Sequence, residues 1–105
     1  MHSSMESLAD TMKLLSDKTR LTILSLLKEE EMCVCDIVDI LETTQPNISQ
    51  HLKKLKNGGL VVETRKSQWI YYSLHIEDKP YLKAIIDELP SMKEQLRKRN
   101  PDCCN

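Results

Sequence analysis

Four thiols are the groups in this chain most able to do chemistry. Cys33 and Cys35 stand two residues apart, and Cys103 and Cys104 are adjacent beyond Pro101. Two thiols at the start of a helix meet the positive end of its dipole, which favours thiolates and hence soft-metal binding. Spaced as Cys33-Val34-Cys35 they point apart inside a regular helix, but the residue that opens a helix has non-helical geometry and can turn toward the second. Cys103 and Cys104 occupy a tail that no core requires, which suggests reach rather than packing. The plainer alternative makes Cys33 and Cys35 small buried hydrophobes and the tail cysteines incidental. His2 and His75 carry no comparable signal.

The chain that must position these thiols has 105 residues and a mass of 12.2 kDa, so residues 1–105 are expected to form a single domain with a short cysteine-containing tail. A hydrophobic content of 40% with 30% charged residues is a globular balance, far from the composition of disorder. There is no apolar run of about 18 residues, so no membrane partner is expected. The opening Met1-His2-Ser3-Ser4-Met5-Glu6 lacks the pattern of a secretory signal, so the expected location is cytoplasmic. In that reducing compartment four cysteines point to metal or redox chemistry rather than structural disulfides. No Gly-rich phosphate loop and no convincing nucleophile–base pair is present, so an enzyme is not expected and no organic cofactor is called for.

Charge is unevenly spread although the total is only −1. Residues 1–43 carry nine acidic and four basic side chains, residues 44–75 carry one and five, and residues 76–105 carry six of each. Nucleic-acid binding follows the local field of a patch, so the near-neutral total does not exclude DNA, and the middle of the chain is where it would bind.

Periodicity supplies the elements. Met5, Leu8, Met12 and Leu15 mark an amphipathic first helix. Ser16 or Asp17 can cap a second helix from about residue 18 to 30, with Leu21, Ile23, Leu24 and Leu27 on its apolar face. A short third helix from about Cys33 to Leu41 buries Ile37, Val38, Ile40 and Leu41. After the Glu42-Thr43-Thr44 turn, Thr44 caps a fourth helix with Pro46 in its first turn and Ile48, Leu52 and Leu55 facing inward, and Gly58-Gly59 ends it as residues that tolerate left-handed geometry. The period then changes to two: residues 60–65 and 68–74 form a β-hairpin around Lys66-Ser67. Asp78 and Pro80 open a last helix whose apolar face runs through Leu82, Ile85, Ile86, Leu89, Met92 and Leu96, with a kink or interruption at Pro90.

That order, mainly α with a β-hairpin, is the order of a winged helix-turn-helix domain, whose fourth helix enters the DNA major groove. The inward stripe of that helix leaves Gln45, Asn47, Ser49, Gln50, His51, Lys53 and Lys54 facing other directions, with Thr44 at its start. Gln and Asn can pair with adenine edges, Ser can serve base or phosphate, and Lys neutralises phosphate. Arg65 and Lys66 at the hairpin tip add backbone contacts. A polar helix bearing lysines can also be a plain solvated face, and a lone His51 can be a metal ligand; the helix-turn-helix context favours DNA contact or packing.

Three motifs in order resemble the ArsR/SmtB family of metal-responsive repressors. They are Leu14-Leu15-Ser16-Asp17-Lys18-Thr19-Arg20-Leu21-Thr22-Ile23-Leu24, with Lys18 where a proline is commoner; Thr44-Gln45-Pro46-Asn47-Ile48-Ser49-Gln50-His51-Leu52-Lys53-Lys54-Leu55; and Trp69-Ile70-Tyr71-Tyr72-Ser73-Leu74. The resemblance covers roughly residues 8–96. It implies a homodimer that binds double-stranded operator DNA and leaves it when an effector binds. We take Leu8, Met12, Leu82, Ile85, Ile86 and Leu89 as the expected dimer interface, because the first and last helices each carry an apolar stripe. Cys33-Val34-Cys35-Asp36 is similar to the family's thiolate site for As(III) and Sb(III), or for Cd(II) and Pb(II). In the arsenic-sensing version a third cysteine follows three residues after the second, and here Val38 stands there, so Cys103 or Cys104 is the expected completing ligand. The family's other site, on the last helix, is poorly matched by Ile76, Asp78, Leu89 and Met92.

The leading expectation is a repressor released by As(III), with Sb(III) acting similarly, because three thiolates suit a trigonal pyramidal ion. A Cd(II)/Pb(II) sensor using all four thiols is the alternative, followed by a redox or persulfide sensor. A thiol oxidoreductase or metal carrier could use the same cysteines, but it has no use for the basic fourth helix and wing.

Overall fold

The computed structural model describes residues 4–97. Two helix starts follow the caps read in the chain, Asp17 and Thr44. Helix α1, Met5–Leu15, is capped by Ser4, whose hydroxyl accepts from the Ser7 amide at 3.0 Å. Helix α2, Lys18–Glu29, is capped by Asp17, whose carboxylate accepts from the Arg20 amide at 3.0 Å. That backbone donor is the first reason the Asp17 carboxyl is held below its ordinary range; nearby His51 and the Arg20 charge add to it.

The next element is one that periodicity does not predict. Met32–Cys33 forms a two-residue strand, β1, and Cys33 serves at once as its last residue and as the N-cap of α3, Val34–Leu41. Helix α4, Gln45–Asn57, is capped by the Thr44 hydroxyl, with Pro46 in its first turn. The left-handed conformation after it belongs to Gly59 alone (φ 81°), whereas Gly58 is right-handed (φ −82°). Gly58 is small for a different reason: a Cβ there would fall 2.3 Å from Leu14 Cδ1, so its lack of a side chain lets α1 lie against the end of α4.

Strands β2, Val61–Lys66, and β3, Trp69–Leu74, pair antiparallel from Val61 opposite Leu74 to Lys66 opposite Trp69. The turn is therefore Ser67-Gln68, one residue later than expected. Ser67 takes the left-handed position (φ 61°) that the tight connection needs. β1 adds to the far edge of β3, with Met32 opposite Tyr72 and Cys33 opposite Tyr71, giving the order β1-β3-β2.

The expected last helix is divided into α5, Pro80–Asp87, and α6, Lys93–Arg97. Pro90 cannot continue a helical hydrogen-bond ladder, and α2 takes up carbonyls at the break: Ser25 Oγ donates to Pro90 O at 2.5 Å and Lys28 Nζ to Leu89 O at 3.1 Å. Lys79, not Asp78, occupies the α5 cap position and makes no side-chain cap bond.

The core gathers Ile23, Leu24, Leu26 and Leu27 of α2, Met32, Ile37, Ile48, Leu52 and Leu55, with Leu60, Val61 and Leu82. Ile86 is also buried. The dimer expectation is corrected here: Leu82 and Ile86 are 0% and 1% exposed within one chain, so both are consumed by its own core. Ile85 and Leu89 remain half-buried. On α1, Leu8 and Met12 are each 37% exposed and Met5 86%, so that stripe is only partly covered. Among the described residues no helix is long and apolar enough to cross a membrane.

Candidate nucleic-acid interface and thiol site

The helix-turn-helix is built by α3 and α4 around the Glu42-Thr43-Thr44 turn, where Glu42 ends α3 in a left-handed conformation (φ 54°). Burial of Ile48, Leu52 and Leu55 fixes the rotation of α4 and leaves Gln45, Gln50, Lys53 and Lys54 exposed. Gln45 Nε2 lies 3.4 Å from Ser49 Oγ, so these two hydrogen-bonding residues share one face. Asn47 is half-buried and turned back on the motif: its Nδ2 donates to Thr43 Oγ1 at 3.2 Å. His51 is likewise engaged, with its Nδ1 3.2 Å from Arg20 Nη1.

The wing is held to this unit by contacts that sequence reasoning missed. At the far end of α4, Lys56 Nζ pairs with Glu63 Oε1 at 3.0 Å, while the Tyr72 hydroxyl donates to Glu63 Oε2 at 2.7 Å. The Tyr72 bond first and the lysine second hold the Glu63 carboxyl below its ordinary range. Burial, then the same carboxylate, push Tyr72 up to about 12. Sequence offers one trace of this brace, a lone acidic residue in an otherwise basic segment. Arg65 is exposed beside the hairpin tip, but Lys66 is ion-paired with Glu31 and stands 5.2 Å from the centre of the Tyr71 ring. The two basic wing residues are therefore not equivalent.

Cys33 and Cys35 are brought together as the helix-start geometry requires. Cys33 is extended (φ −85°, ψ 168°) because its backbone is committed to β1, whereas Cys35 already lies in the first turn of α3, and the two sulfurs are 3.0 Å apart. Cys33 is 3% exposed and Cys35 half-buried. One donor was missed from sequence: a carboxylate oxygen of Asp36 lies within 4.8 Å of both sulfurs, so two soft donors and one hard donor converge. Its only prior signal is its place next to Cys35. Cys103 and Cys104, the expected completing ligands, lie outside the described residues.

The thiols line a pocket of about 330 Å³ whose other walls are Val34, Gln45, Gln68, Trp69 and Ile70. Gln45 opens the candidate recognition helix, Gln68 closes the hairpin turn and Trp69 begins the returning strand of the wing. The thiol pocket therefore borders both parts of the candidate DNA surface.

Comparison with known proteins agrees with this architecture. Residues 17–63 match the model of the bacterial regulatory protein arsR family. The chain is 41% identical over 75 residues to the arsenic resistance transcriptional regulator ArsR1 of Pseudomonas putida, covering 70% of this chain and 59% of that protein. It is 37% identical over 93 residues to the arsenical resistance operon repressor of Bacillus subtilis, covering 88% and 85%. A cadmium resistance transcriptional regulatory protein CadC homolog of Staphylococcus aureus is 37% identical over 81 residues, covering 76% and 64%. In structure, a homodimeric winged helix-turn-helix DNA-binding domain from Mycobacterium bovis superposes with a TM-score of 0.70 at 33% identity, covering 78% of this chain and 76% of that one. The chain belongs to the ArsR family of bacterial regulatory proteins, with the winged helix-turn-helix fold of DNA-binding transcription regulators.

Proposed function

We propose that the protein is a homodimeric repressor that holds double-stranded operator DNA through α4 and the wing and releases it when As(III) binds Cys33 and Cys35. Sb(III) acts in the same way, and Cys103 or Cys104 completes the coordination. One observation carries the reading: two sulfurs 3.0 Å apart stand at the start of α3, in a pocket walled by Gln45 and Trp69. An ion gripped there pulls on the first turn of α3 and crowds the first residue of α4 and the wing, so coordination strain reaches the DNA surface within one layer of side chains. The names of the arsenic resistance relatives support this choice of ion. Asp36 and the cadmium resistance relative favour Cd(II), or Pb(II), as the second reading, since a borderline ion accepts a carboxylate oxygen beside thiolates.

The test is fluorescence anisotropy on a labelled promoter fragment with reduced protein, titrated separately with arsenite and Cd(II). A coupling of about 1 to 3 kcal/mol corresponds to operator affinity falling about 5- to 150-fold, and arsenite is expected to produce that fall. A fall with Cd(II) alone would select the second reading. DNA release by neither would exclude both ions as inducers.

The dimer is proposed to pair through the partly exposed stripe of α1, Leu8 and Met12, together with Ile85 and Leu89. Changing Leu8 and Met12 both to Glu is expected to give folded monomers by sedimentation that bind the operator poorly. Sedimentation as a dimer with wild-type affinity would show that α1 is not the interface. Ile86 is unsuitable for this test, because a charge at a core position destabilises the chain whatever its assembly.

A further inference from the structure

Arg20 stands at the junction of three elements. Its Nε donates to Leu14 O at 2.8 Å and its Nη2 to Lys13 O at 3.2 Å, binding two carbonyls at the end of α1, the second of which also accepts from Ser16. Its Nη1 lies 3.2 Å from Nδ1 of His51 on α4. A guanidinium has donors only and keeps its proton, so the nitrogen facing it must be an acceptor. That requirement leaves the ring proton of His51 on Nε2, which has no protein acceptor among the described residues.

We infer that Arg20 is a positioning residue of the DNA interface, holding His51 in its Nε2–H tautomer so that α4 presents one fixed hydrogen-bond donor to an acceptor on the operator. The inference rests on the proposed holding of operator DNA by α4, which carries His51, and adds to it a contact, a tautomer and the residue that imposes that tautomer. It also links α1 to α4 through a single side chain, since the guanidinium that orients His51 is anchored on the last carbonyls of α1. Without Arg20 the neutral ring divides its population between two tautomers and loses its fixed orientation, and only one tautomer carries the proton where DNA needs it.

The full-length protein bearing nitrogen-15 in its histidine rings gives a direct readout by NMR: His51 Nδ1 is expected to be pyridine-like and Nε2 pyrrole-like. In Arg20→Lys that signature is expected to collapse toward a mixture while the melting transition stays cooperative. Two substitutions then separate the ring nitrogens without touching Arg20. Gln places an amide near the position of Nε2, and Asn places one near Nδ1. His51→Gln is expected to bind the operator within a few-fold of wild type, and His51→Asn and His51→Ala to bind about tenfold or more weaker, as for one lost charge-assisted hydrogen bond. Operator binding by His51→Ala at wild-type affinity would overturn both the DNA contact and the role of Arg20. Weak binding by His51→Ala with a ring protonated on Nδ1 in the wild type would overturn the role of Arg20 alone. So would wild-type binding by His51→Asn together with loss in His51→Gln.

Discussion

Cys35→Ser is expected to give a folded protein that binds its operator like wild type and no longer lets go in arsenite. Cys35 contributes a sulfur to the thiol pocket and little to the core, being half-buried in the first turn of α3, whereas the residues that shape α4 are Ile48, Leu52 and Leu55. Its loss therefore removes a ligand without disturbing the reading surface. The arsenite effect of about 5- to 150-fold on operator affinity should fall to none. Cys33→Ser is expected to abolish release equally, at an additional stability cost of about 1 to 3 kcal/mol if the buried hydroxyl finds no partner, because Cys33 is 3% exposed. Cys103→Ser or Cys104→Ser alone should be mild, since the neighbouring thiol substitutes, and the pair of substitutions should weaken arsenite binding strongly. Operator titrations with and without arsenite, beside thermal melts, separate these effects. Normal release in Cys35→Ser would remove the α3 pair from the inducer site, and normal release in the double tail variant would leave the pair, with Asp36 nearby, as the whole site.

Operator affinity is expected to fall steeply with salt. Each phosphate neutralised contributes about −0.9 to the log–log slope for B-DNA, and a dimer making about 6 to 10 such contacts loses about 10³ to 10⁵ in affinity between roughly 50 and 200 mM salt. Lys53 and Lys54 are exposed on α4 and Arg65 beside the wing tip. Lys53→Ala or Arg65→Ala in both subunits should reduce the slope by about two and weaken binding to all sequences alike. Lys66→Ala should reduce it less, because Glu31 already neutralises Lys66 and must be released before a phosphate takes its place. Gln45→Ala and Ser49→Ala should instead alter which sequence is preferred, with little change in slope. A slope near zero, or equal effects of Lys66 and Arg65, would contradict the placing of this surface.

The two surfaces differ in how far they were legible in the chain. α4 could be placed from Thr44, Pro46 and the Ile48-Leu52-Leu55 stripe, because capping and a 3.6-residue period are local properties. With its buried face known, the outward residues follow by geometry. The meeting of Cys33 with Cys35 was also legible, since it needs only that one residue be extended where the next begins a helix. Asp36 was passed over because nothing in spacing alone says that its carboxylate turns back toward the sulfurs. Asn47 and Lys66 read as free contacts, yet one binds Thr43 and the other Glu31. A side chain's intramolecular partner depends on what the fold brings beside it.

By itself the sequence determined the order of the helices and the hairpin, the caps at Asp17 and Thr44, the basic middle of the chain, the thiol pair and the family resemblance, all of which depend on residues within a few positions of one another. Tertiary structure alone decided the rest. β1 is two residues long and has no signal of its own; it exists because Met32 and Cys33 find the free edge of β3, about forty residues away in sequence. Leu82 and Ile86 look like interface residues by period, but the small core needed them. The break after α5 uses Pro90, which is visible, and the α2 donors Ser25 and Lys28, which are not. The bond from Arg20 to His51 and the wall that Trp69 gives the thiol pocket both join segments more than thirty residues apart. Periodicity records which face of an element is apolar, but only packing decides which other element covers it and which polar atoms are left to meet.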